Sequence, residues 1–104
     1  MSNLTVSAVN DSDCMKFVVE GRIDASNAYH FSDAVNAALK GYTGKKVVFE
    51  CRKLEYVSSA GLREFFILLK RRNLAVKLEN VTHEVEIIMN MTGFSQFFEV
   101  NGGI

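Results

Sequence analysis

Two serines and a glycine fall within Tyr56-Val-Ser-Ser-Ala-Gly-Leu-Arg63, where an extended apolar segment gives way to a helical pattern. Hydroxyls at such a junction can serve three chemistries. They can cap the helix, because its first backbone N–H groups lack an intrahelical acceptor. They can supply a nucleophile on a tight turn, as in the GxSxG elbow of hydrolases. They can also accept a phosphoryl group, since an anion there meets N–H groups and the positive end of the helix dipole. The capping reading makes Ser58 the N-cap and treats Ser59 and Gly61 as small residues that let the helix start lie close to a sheet. The nucleophile reading fails on the motif, because Val57 stands where the first glycine before Ser59 is required. The only candidate bases, His30 and His83, fall on other helices and read as surface or capping residues. Capping and modification both stay open. A phosphate would leave the helix intact while adding about two negative charges to the surface.

No other constellation offers chemistry. Cys14 and Cys51 are isolated, without a CxxC pair or a histidine cluster, so they read as reduced core thiols. With no nucleophile–base pair, no metal-ligand cluster and no Gly-rich phosphate loop, the chain reads as a binding module, not an enzyme: no catalytic residue, no metal, no cofactor.

The junction has to be positioned by the elements around it. Leu4, Val6 and Ala8 alternate with polar residues, and Cys14–Val19 is β-rich, so a hairpin turning at Asn10-Asp-Ser-Asp13 is expected. Beyond Gly21, Ser26 is the expected cap of a helix whose stripe is Ala28, Phe31, Ala34, Val35, Ala38 and Leu39, ended by Gly41 and Gly44. Lys45–Phe49 reads as a strand with Glu50 at its end, and Tyr56-Val57 completes an extended segment. Leu62, Phe65, Phe66 and Leu69, widened by Ile67 and Leu68, mark the next helix, which closes on Lys70-Arg71-Arg72 at the negative end of its dipole and exits through Asn73. Leu74–Leu78 is a further strand, and Thr82 caps a third helix through Val85, Ile88 and Met89 that Gly93 stops. Gln96–Val100 is a last strand or helix, and residues 101–104 read as a loose tail. The order β-β-α-β-α-β-α plus a terminal element predicts an α/β fold: a mixed β-sheet with an N-terminal hairpin, parallel later strands and helices packed on it.

With 104 residues, nearly half of them apolar, the chain suits one domain, with an ordered core over about residues 4–100. Twelve basic and twelve acidic residues are interspersed except for the short run Lys70-Arg71-Arg72, so no broad cationic field is expected to hold nucleic acid or an anionic membrane. The polar start MSNLTVSAVNDSD lacks the basic and apolar parts of a signal peptide, which places the protein in the cytoplasm.

The junction Tyr56–Arg63, preceded by Gly21-Arg-Ile-Asp24, resembles the STAS domains of bacterial anti-sigma factor antagonists, over about Leu4 to Val100. In that family a G-x-hydrophobic-D segment after the second strand and a D/S-S-S/A-G-L segment before the second long helix recur at about this separation. The resemblance implies a phosphorylation-switched regulator. Unmodified, it binds an anti-sigma factor with serine kinase activity and so releases a sigma factor; phosphorylation breaks that complex, and a serine phosphatase resets it. Carrying the family glycine onto Gly61 puts the phosphorylated serine on Ser59, beside Asp24. Ser58 stands where the family often has Asp and remains the alternative acceptor. Glu50 falls where related domains commonly carry an acidic residue, and is expected to share the sheet edge with Asp24 and Ser59. The implied partner surface comprises Asp24, Glu50, Ser58, Ser59, Gly61 and Arg63. The competing reading is a STAS scaffold or sensor that binds other STAS domains, a nucleotide or a small metabolite and is no kinase substrate.

Overall fold

The computed structural model describes residues 4–11, 14–71, 73–96 and 98–102, the side chains of Leu69 and Arg71 excepted. The expectations placed on those two side chains, and on Ser12, Asp13, Arg72, Phe97, Gly103 and Ile104, lie outside the described residues. The chain runs β1 (Leu4–Asp11), β2 (Cys14–Ile23), α1 (Ala28–Leu39), β3 (Lys46–Val57), α2 (Ser59–Arg71), β4 (Ala75–Val81), α3 (His83–Thr92), a 3-10 turn (Phe94–Gln96) and β5 (Glu99–Gly102).

The strands form one sheet in the order β1-β2-β3-β4-β5, antiparallel between β1 and β2 and parallel thereafter. A hairpin needs only a short turn, whereas parallel neighbours need a crossover, and α1, α2 and α3 are those crossovers. The α/β fold read from the sequence is the one observed.

Four phenylalanines join the layers. Phe17 on β2 stacks on Phe49 of β3 at 5.2 Å, and Phe31 of α1 and Phe65 of α2 close on Phe49 at 5.7 and 4.9 Å. None of the four exposes any surface. Aromatic pairs of this kind add about 0.5–1.5 kcal/mol each beyond their burial. The opposite sheet face is charged, with Lys77 on β4 between Glu79 (3.4 Å) and Glu99 (3.5 Å). Those two carboxylates, Glu99 foremost, raise the Lys77 pKa.

Several boundaries differ from expectation. β3 is one strand of twelve residues, where a short strand over Lys45–Phe49 was expected. Its inward positions run Val47, Phe49, Cys51, then Leu54 and Val57, and this break in period is absorbed by register shifts opposite Val18/Glu20 and Gly21/Arg22. Gly21, at φ 105°, accommodates the second shift. The N-cap of α1 is Asn27, not Ser26. The final segment is a 3-10 turn followed by β5, and β5 includes Asn101 and Gly102, which were expected in a loose tail. Cys51 is buried, which pushes its thiol pKa far up, but Cys14 at the start of β2 is only half-buried, short of the expected core position. Asn73, at φ 53°, takes the expected left-handed exit from α2, and Lys70 lies over the Phe66 ring at 5.5 Å.

Candidate partner-docking site

β2 and β3 end side by side, with Ile23 and Val57 in register. The next backbone bond fixes everything that follows: Ser58 N–H donates to the Ile23 carbonyl at 2.8 Å, tying the start of α2 to the end of β2. Ser58 is the helix cap. Its Oγ accepts from Gly61 N–H at 3.2 Å and its carbonyl accepts from Leu62 N–H at 2.9 Å. Ser59 opens the helix, is exposed, and has no hydrogen-bond partner for its hydroxyl among the described residues. With the N–H groups of Gly61 and Leu62 satisfied by Ser58, those of Ser59 and Ala60 remain for an anion.

Gly61 is buried against both strand ends. A Cβ there would lie 2.7 Å from Ile23 Cγ2 and 2.9 Å from Val57 Cγ1, so only glycine lets α2 start this close to the sheet. Its role is spacing; being buried, it offers a partner no surface, contrary to the expected contact.

Asp24 sits in the turn directly after β2. Its Oδ1 accepts from Ser26 Oγ at 2.6 Å, Ser26 N–H at 2.9 Å and Asn27 N–H at 3.1 Å. Asn27 returns the interaction: its Oδ1 accepts from Asp24 N–H at 2.8 Å and its Nδ2 donates to the Arg22 carbonyl at 2.9 Å. The Ser26 hydroxyl that was expected to cap α1 is spent on Asp24 instead. That hydroxyl, helped by the backbone N–H groups of Ser26 and Asn27 and by the Arg22 guanidinium, lowers the Asp24 pKa against a smaller desolvation effect. Asp24 is a fixed anion just past the end of β2, beside the end of β3 that leads into Ser58 and Ser59.

Arg63 lies one turn beyond Ser59, exposed and without an ion pair among the described residues. Glu50 is not at this edge. It lies in mid-strand, seven residues before Val57, or about 23 Å away at ~3.3 Å per residue. There it accepts from Arg52 N–H at 2.7 Å and from the Asn80 side-chain amide, in register with Glu79. The structure thus brings together Asp24, Ser58, Ser59 and Arg63, and excludes Glu50.

Three further residues at this end escaped the sequence reading. Arg22 lies over the Tyr56 ring at 4.7 Å, a cross-strand pair recoverable only from the register. Asn27 is the one buried polar residue among those described, and its spacing of three from Asp24 is the signal that could have found it. Tyr29, in the first turn of α1, is 68% exposed and left no signal. His30 and His83 are both exposed; His83 opens α3, whose cap is Thr82, with Val85 N–H donating to its Oγ1 at 3.3 Å. Among the described residues no group of three or more His, Cys, Asp or Glu side chains could hold a metal ion, and no helix is long and apolar enough to cross a membrane.

Known proteins share this fold. Residues 5–102 match the STAS domain family. An anti-sigma factor antagonist from Mycobacterium paratuberculosis superposes with a TM-score of 0.80 at 16% identity, over 94% of this chain and 85% of that one. The unphosphorylated form of the anti-sigma factor antagonist SpoIIAA gives 0.69 at 13% identity, over 93% and 86%. A sulfate transporter family protein from Wolinella succinogenes gives 0.71 at 15% identity, over 92% and 82%. At these identities the structures testify to a shared fold. With the family match spanning nearly every residue, from the β1–β2 hairpin to β5, the chain belongs to the STAS domain family.

Proposed function

We propose that this protein is a phosphorylation-switched anti-sigma factor antagonist, a regulatory binding module and not an enzyme. Unmodified, it docks an anti-sigma factor with serine kinase activity through the edge formed by Asp24, Ser59 and Arg63, and so frees a sigma factor; a serine phosphatase reverses the modification of Ser59. The observation that carries this reading is the division of labour between the two serines. Ser58 Oγ is occupied as the α2 cap, whereas Ser59 is exposed with an uncommitted hydroxyl. A phosphate on Ser59 would find the Ser59 and Ala60 N–H groups without displacing the cap. It would also bring like charge toward the anionic Asp24 and into a closed interface, where loss of about 3 kcal/mol weakens binding roughly a hundredfold.

Support also comes from the fold neighbours, which include anti-sigma factor antagonists. The test is a pull-down from the source cell's extract with wild type and Ser59→Asp as parallel baits. Retention of an ATP-binding serine kinase by wild type alone is expected; retention by both baits, or by neither, defeats the reading.

One observation favours the competing scaffold function. α3 displays Ile87 (43% exposed) and Met91 (81% exposed) one turn apart, a patch suited to assembly with other STAS domains. Size-exclusion mass and thermal shift with nucleotides distinguish a scaffold or nucleotide sensor from a monomeric antagonist.

A further inference from the structure

α1 and α2 both start at the docking edge and lie side by side, leaving a groove of about 340 Å³ between them. Val35 and Leu68 are buried in its floor, Ile67 is half-buried in its wall, and Ser32 and Asn36 face it from α1, where Asn36 Nδ2 donates to Ser32 Oγ at 3.2 Å. Among the described residues one lining side chain is ionisable. Glu64 of α2 is half-buried and makes no ion pair among the described residues. A carboxylate partly removed from water beside apolar walls requires a cation or hydrogen-bond donors, or it destabilises whatever covers it.

The groove also has the right address. Glu64 is five residues after Ser59, about 7.5 Å along the helix at ~1.5 Å per residue. Ser59, Arg63 and Ile67 follow one another at intervals of four on the same helix face. A protein resting on the Ser59 edge therefore covers the groove mouth.

We propose that this groove is the socket for a single arginine presented by the protein partner; the inference rests on the reading of the Ser59 edge as that partner's docking surface. The occupant follows from the chemistry of the walls. An aliphatic stem can lie on Val35, Ile67 and Leu68 while a guanidinium meets Glu64 and the polar groups on α1. A wholly apolar side chain would bury Glu64 uncompensated, and a phosphate would be repelled by it. The volume, at the lower end of the ~300–1,000 Å³ typical of ligand pockets, admits one long side chain and no folded element.

The test uses Nα-acetyl-L-arginine methylamide as probe, titrated at millimolar concentration into isotope-labelled wild type and E64Q, with amide resonances followed by NMR. Nα-acetyl-L-leucine methylamide and spermidine are titrated alongside. Saturating shifts at Ser32, Asn36, Glu64 and Ile67 are expected for the arginine probe, with affinity falling about tenfold or more in E64Q, the effect of losing a charge-assisted hydrogen bond. The proposal is overturned if E64Q binds as well as wild type, if no shifts appear there, or if the leucine probe matches the arginine one. Equal binding of spermidine would overturn it too, giving the groove to free polycations. The titration contains no partner, so its failure leaves the Ser59 reading standing; conversely, unchanged partner capture by Ser59→Asp would remove the docking reading while leaving an arginine site in place.

Discussion

Gly61 lies so close to Ile23 that a Cβ on Gly61 would stand 2.7 Å from Ile23 Cγ2. The start of α2 is thereby pressed onto the end of β2, and Ser59 and Arg63 inherit their positions from that contact. Gly61→Ala should lower stability by about 1–3 kcal/mol through overpacking, with a fall in Tm of roughly 4–8 °C for each kcal/mol. Calorimetry decides the point: an unchanged Tm would show that α2 can lift from the sheet at no cost.

Ser58 and Ser59 should separate stability from modification. Ser58→Ala removes the acceptor for Gly61 N–H and should destabilise by about 0.5–2 kcal/mol while leaving Ser59 available to a kinase. Ser59→Ala removes no side-chain hydrogen bond among the described residues and should stay within about 0.5 kcal/mol of wild type while abolishing phosphorylation. Urea midpoints and intact-mass spectra after kinase treatment supply both readouts, and a phosphorylated Ser59→Ala variant would reassign the acceptor to Ser58.

Asp24 should make the fold acid-sensitive in a specific sense. Its pKa is lowered in the folded state from the ordinary 3.8, so the unfolded chain takes up its proton first as pH falls. The stabilisation from its turn is therefore full above 3.8 and is lost as pH drops through the lower folded value. Comparing urea midpoints of wild type and Asp24→Asn from neutral to strongly acid pH should show a gap that closes only in that acid range; a constant gap would remove the charge from the explanation.

The two thiols should react differently. Cys51 is fully buried with its pKa pushed up, whereas Cys14 is half-buried. Ellman's reagent should modify Cys14 in the native protein and reach Cys51 only on unfolding. Two fast thiols under native conditions would mean that the layer between sheet and helices opens readily.

The parts of this architecture written in local pattern were legible in the sequence. Alternation marked the hairpin, apolar stripes marked α1, α2 and α3, and Thr82 and Gly93 bounded α3 as expected. Ser58 could be found because a cap carries a residue-type signature, whereas Asp24 and the choice of Ser59 came from the resemblance to STAS domains. Glu50 was misplaced because Arg52 and Lys53 break the alternation, so β3 seemed to stop where it only shifts register. Ser26 and Asn27 are equally good caps by type, and the choice between them is made by bonds to Asp24 and Arg22. The exposure of Tyr29 and the groove beside Glu64 had no signature at all, because a stripe tells which side of a helix is buried and not how far apart two helices lie.

The length of β3 has a mechanical consequence. Only its first half, Lys46–Glu50, is held on both sides, by β2 and by β4. From Lys53 to Val57 its ladder partner is β2 alone, with the Thr82 hydroxyl donating to the Leu54 carbonyl at 3.2 Å on the way. Asp24 and the two serines thus stand just past the end of a β2–β3 extension, which β1 flanks as far as Gly21 and which narrows to two strands only at Arg22–Ile23 and Tyr56–Val57. That narrow end is packed as fully as its root: Ile23, Leu54 and Val57 are as buried as Phe17 and Phe49, so the edge carrying Ser59 meets a partner or a phosphate as a preformed surface.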